Sequence, residues 1–234
     1  MTMHKVNALL KKDIKNDLRN GTVILFLIMP IFFTLLYGML FSDMEDLSPI
    51  FLVTIGVLMN CSMFPISGTG LFIAEEKEKN TLRTLTLSNV SATEFLFSKA
   101  VVSYVLCETV AVAIYLITAP GISFPWFFLV TSLTTLCLMM LGAVVGILSP
   151  NQMTTGILGT PLALIMLMPP IFGQMNEAIG RIARFVPTNA MIELLFSEDG
   201  RGFHFAVMAG WIVIGVLAFI IVYRRKRWID GRFC

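Results

Sequence analysis

Two groups of carboxylates could do chemistry in a chain that is otherwise poor in charge. Glu108 lies near the middle of the apolar run Ala100–Ala119. An ionised carboxylate at that depth costs at least a few kcal/mol, so it must face protein or water. Tyr104, Ala111 and Tyr115 share its helical face by i−4, i+3 and i+7 spacing. Such a stripe could line a translocation path or an interface between two copies. It could equally hold a protonated Glu108 hydrogen-bonded to a neighbouring helix. The second group, Glu75, Glu76 and Glu78, is interleaved with Lys77 and Lys79 in a polar stretch between two apolar runs.

Other chemistry is poorly supplied. No G-x-x-x-x-G-K-[ST] loop is present, so a nucleotide is not bound by that route. His4 and His204, the only histidines, stand far apart, and no zinc-protease helix or G-x-S-x-G elbow accompanies them. Cys61, Cys107, Cys137 and Cys234 have no metal-like spacing and read as small apolar packing residues. The chain is not expected to be an enzyme, to hold a metal or to bind nucleic acid.

The elements that must position these groups are membrane spans. The sequence is 56% hydrophobic and 14% charged, against about 45–50% and about 25% in a soluble domain. Six runs approach the roughly 20 residues needed to cross a bilayer: Thr22–Phe41, Ile50–Ile73, Ala100–Ala119, Trp126–Leu148, Thr154–Phe172 and His204–Tyr223. All of the 17 basic residues except Arg181, Arg184 and Arg201 fall before the first run, between the second and third, or after the last. The positive-inside rule then places both termini in the cytoplasm of a multi-pass plasma-membrane protein.

The spacing predicts an all-α membrane protein: a single transmembrane domain over 1–234, with an N-terminal amphipathic interface helix in 1–20. There Val6, Leu10, Ile14 and Leu18 form the apolar row and lysines the other face, for anchoring in the headgroup plane or for receiving a partner. Pro161, Pro169 and Pro170 fall in or beside the fifth run, which requires neighbours to satisfy the carbonyls they free. Gly142 and Gly146 form a G-x-x-x-G that lets another helix approach closely. The segment 173–203, expected outside the cell, suits short re-entrant or surface-lying helices.

The loop 74–99 is the most informative. A charged stretch leaving the second span is expected to become a short helix with exposed acids and with Leu82 and Leu85 on one face. After a polar turn a second helix starts at Ser91, three residues before Glu94, as in a capping box. This loop resembles that of ABC type-2 exporter permeases, where an acidic E-x-E/K-x-G-T-L-x-x-L is followed by a Ser-centred turn and a Lys. Glu76, Glu78, Thr81, Leu82, Leu85, Ser91 and Lys99 fall in matching places, and Asn80 stands where that family usually has Gly. The topology of the whole chain agrees.

The resemblance implies the permease subunit of an ATP-driven exporter, paired with a second copy or a sister permease in the lipid bilayer. Glu75, Glu76, Glu78, Thr81, Leu82 and Leu85 would couple it to separate cytoplasmic ABC ATPase subunits, which would bind ATP and Mg; no cofactor is expected in this chain. An amphiphilic drug or antimicrobial peptide is the favoured cargo, with glycan, lipid or sodium export as alternatives. A non-transporting membrane scaffold, or an ion-coupled carrier using Glu108, remains open from the residues alone.

Overall fold

The computed structural model describes residues 10, 12–17, 19–41, 49–79, 92–173 and 175–230. Among these there is no strand. A helical segment, α1, occupies 12–17. It is followed by α2 (Gly21–Leu40), α3 (Pro49–Met63), a π-helical turn (Phe64–Gly68), α4 (Thr69–Glu78), α5 (Ala92–Thr118) and α6 (Phe124–Leu148). Then come α7 (Gln152–Phe172), α8 (Glu177–Ala183), α9 (Pro187–Phe196) and α10 (Arg201–Asp230). Among the described residues, six helices are long and apolar enough to cross a membrane: α2, α3 joined to α4, α5, α6, α7 and α10. The protein is an all-α membrane protein, as its apolar runs predict.

The local chemistry of each span explains its path. Asn20 caps α2 by accepting from the Thr22 amide at 3.0 Å, which stops the preceding segment from running straight into the membrane. In the second span Pro65 supplies no N–H and its ring crowds the carbonyl four residues back. The π-helical turn at Phe64–Gly68 absorbs that conflict, and the rod continues to Glu78 without a break. The same device serves α7, which carries Pro161, Pro169 and Pro170 internally. Pro170 cannot donate to the Met166 carbonyl, and the buried Thr188 hydroxyl of α9 donates to it instead.

The central helix is α6, which packs on α4, α5, α9, α10 and the π-helical turn. Its G-x-x-x-G sits where the second span comes closest. A Cβ on Gly142 would lie 2.3 Å from the Pro65 carbonyl oxygen, and one on Gly146 2.8 Å from that of Gly70. Dispersion between closely packed backbones, rather than water exclusion, favours such contacts in a bilayer. The motif therefore joins two helices of one subunit.

Three boundaries differ from the sequence expectation. The second span does not end at Ile73 but carries Glu75, Glu76 and Glu78 on its last turns. The helix expected to start at Ser91 is not separate from the third span: α5 is continuous from Ala92. The last span starts at Arg201 rather than His204, after the two short helices expected in 173–203. Hydropathy windows end a span where charge begins. A helix whose backbone bonds are already made continues through charged residues that find partners.

Candidate functional site

At the basic end of the bundle the last turns of α4 meet α1, the start of α5 and the α6–α7 turn. Glu75 and Glu76 are only 3% exposed, so the exposed acids predicted from sequence are, at these two positions, buried ones. Glu75 accepts from Asn16 Nδ2 at 2.9 Å and Asn20 Nδ2 at 3.2 Å, and pairs with Lys79 one turn on. Glu76 lies 3.1 Å from Lys12 Nζ and 3.3 Å from Lys99 Nζ. Lys99 is 1% exposed and also reaches Asp13 Oδ1 at 2.9 Å, while Ser98 donates to Asp13 Oδ2 at 2.6 Å.

One lysine of α5 thus ties α1 to α4 through two carboxylates. Buried charges survive only when paired and hydrogen-bonded in this way. Asp17 is the exception. It is fully buried, and neither of its oxygens has a hydrogen-bond partner among the described residues. Burial is the main cause that lifts its pKa from 3.8 to about 7; nearby Lys99 opposes the rise, and Asp13, Glu75 and Glu76 reinforce it. With Asp17 protonated, Asp13, Glu75 and Glu76 face Lys12, Lys79 and Lys99.

The same helix end grips the α6–α7 turn through complementary helix termini. Lys77 Nζ donates to the carbonyls of Gly146 and Ile147, each at 2.7 Å, and to that of Ser149 at 3.1 Å. These are end-of-helix acceptors of α6 and its cap, where a cation is favoured. Glu78, exposed, accepts from the Gln152 amide at 3.0 Å, at the N-terminus of α7, where an anion is favoured. Asn20 Nδ2 also reaches Gln152 Oε1 at 3.2 Å. Thr81, Leu82 and Leu85 lie outside the described residues, as does Ser91.

Sequence reasoning missed Asp13, Asp17, Asn16 and Asn20. The apolar row of the first segment drew attention away from its polar residues, of which both aspartates are buried while Ile14 on the row is 41% exposed. The signal was an i, i+4 pair of aspartates beside an i, i+4 pair of asparagines, with the buried Lys99 far along the chain as partner.

The Glu108 stripe forms a seam between α5 and α6. Thr131 Oγ1 donates to Glu108 Oε2 at 3.2 Å and Thr135 Oγ1 to Oε1 at 2.8 Å. Tyr104 Oη lies 2.9 Å from Ser132 Oγ. Tyr115 donates to the Ile122 carbonyl at 2.6 Å, in the connection between the two helices. Glu108 is thus hydrogen-bonded to α6 and only 4% exposed.

The family model described as ABC-2 type transporter matches residues 4–198. The chain belongs to that family and is a permease subunit of an ABC transporter. No curated protein and no solved structure matches it.

Proposed function

We propose that this chain is the membrane half of an ATP-driven exporter. It works as a dimer, with itself or a sister permease, and docks on separate cytoplasmic ATPase subunits that bind ATP and Mg. The basic end is then cytoplasmic and the protein resides in the plasma membrane with both termini inside. Its cargo is an amphiphilic drug or antimicrobial peptide.

The observation that carries this reading is the position of the Glu75–Lys79 turns. They lead directly into the segment 80–91, and they are bound at once to α1, α5 and the α6–α7 turn. A force applied to the loop reaches four elements through ion pairs and helix-end contacts. In this reading Glu78, Thr81, Leu82 and Leu85 meet the ATPase, while Glu75 and Glu76 hold the lever to its neighbours.

Capture of the cognate ATPase by the purified permease tests the division. Replacing Leu82 and Leu85 by Asp should reduce capture at least tenfold with an unchanged melting temperature. Undiminished capture would refute docking through this loop. A cargo panel on cells lacking the protein would then decide among drugs, peptides, glycans, lipids and sodium.

A further inference from the structure

At the end opposite the ion pairs of Lys99, α8, α9 and the ends of α7 and α10 border an open-sided cavity of about 370 Å³, within the ~300–1,000 Å³ usual for small-ligand sites. Arg184, Asn189, Glu193 and His204 line it together with Phe203. Among the described residues, no hydrogen bond or ion pair engages the side chains of Arg184, Asn189 or Glu193. His204 Nδ1 is buried and has no hydrogen-bond partner among the described residues. A guanidinium and a carboxylate that share one cavity yet do not pair present both signs of charge to whatever enters.

The surroundings describe the rest of the ligand. Ile179, Ile182 and Phe185, on and just beyond α8, are exposed apolar side chains that alternate along the chain with the cavity-lining Gly180, Ala183 and Arg184, and Ile182 is 68% exposed. Trp126 at the start of α6 stacks under the Arg201 guanidinium at 5.1 Å and donates to the Leu194 carbonyl of α9 at 2.8 Å. Tryptophan with an adjacent cation marks the headgroup level of a bilayer. The Gly180–Gly173 approach, where a Cβ on Gly180 would lie 2.8 Å from the Gly173 oxygen, seats α8 on the end of α7 and forms the cavity wall.

We propose that this cavity is a binding site for a zwitterionic phospholipid headgroup, an aminophosphate, whose acyl chains lie on the apolar rim of α8. Arg184 and His204 take the phosphate, Glu193 takes the ammonium, and Asn189 fills the remaining hydrogen bonds. The site is independent of the ATPase and of the cargo reading, so it is tested on the permease alone.

Native mass spectrometry of the full chain in detergent, titrated with dihexanoyl lipids, reads the affinities. Dihexanoyl-phosphatidylethanolamine should bind at least tenfold tighter than dihexanoyl-phosphatidylglycerol, which keeps tails and phosphate but has no ammonium. E193Q should bring the two lipids level, whereas R184Q should weaken both. Glycerophosphoethanolamine, the headgroup without tails, should bind at least tenfold more weakly than the lipid. Equal binding of the two lipids to the unaltered chain would overturn the proposal. So would tail-free headgroup binding as tightly as lipid. Should E193Q fail to fold, these two comparisons on the unaltered protein decide alone.

Discussion

The two ends of the bundle are held by different chemistry. At the basic end α4 is joined to α1, α5 and the α6–α7 turn by carboxylates and lysines, several of them fully buried. At the opposite end α8, α9 and the turn between them are joined to the spans by neutral donors on backbone carbonyls: Thr188 to Met166, Trp126 to Leu194 and Trp211 to Phe185. Charged contacts are strong and directional in a low-dielectric setting, and they are costly when one partner is lost. Neutral contacts on carbonyls are individually weak, replaceable and indifferent to pH.

Lys99 offers the sharpest way to break this contrast. Lys99→Met would strand Asp13 and Glu76 without their shared buried cation, at a cost of about 3–5 kcal/mol. Thermal unfolding in detergent should show a large loss, with α1 released first in hydrogen exchange.

Asp17 comes next, and its effect depends on pH. Its folded pKa, about 7, lies above the unfolded 3.8, so the native state binds more protons between those values. Stability therefore falls as pH rises through roughly 4 to 7 and levels off above. Asp17→Asn should match the unaltered protein at pH 4 and exceed it increasingly up to pH 7. At about 1.4 kcal/mol per unit the gain reaches a few kcal/mol at the plateau. Melting temperatures measured across pH 4–8 would show the divergence, and parallel curves would exclude this titration.

The smallest effect belongs to the opposite end. Thr188→Val leaves the Met166 carbonyl buried and unpaired beside Pro170, costing about 1–3 kcal/mol. Unlike the Asp17 effect, this loss should be the same at pH 5 and pH 8.

How far the sequence foretold this arrangement depends on the kind of contact. Apolar runs and the distribution of lysines are local or additive properties, so all six spans were legible. The close helix approach at Gly142 and Gly146 was legible too, because only glycine leaves room for it. The ion-paired cluster around Lys99 was half legible. Glu75, Glu76 and Lys99 stood out by type, but their burial follows from α1 folding back beneath α4. That is a contact between residues more than fifty positions apart, which no spacing rule records. Glu108 drew attention for its depth, and the threonines that satisfy it, Thr131 and Thr135, are invisible as partners until α6 is placed beside α5.

The proposed function treats α4 as a lever fixed to the end of α6 and the α6–α7 turn through Lys77. Hydrogen exchange of the permease bound to its ATPase, with and without ATP and vanadate, tests it without knowledge of the cargo. In the unaltered complex, nucleotide should change protection at 12–17, 75–79 and 145–155 together. In Lys77→Gln the change at 75–79 should persist while that at 145–155 is lost. An undiminished response at 145–155 in Lys77→Gln would contradict the lever.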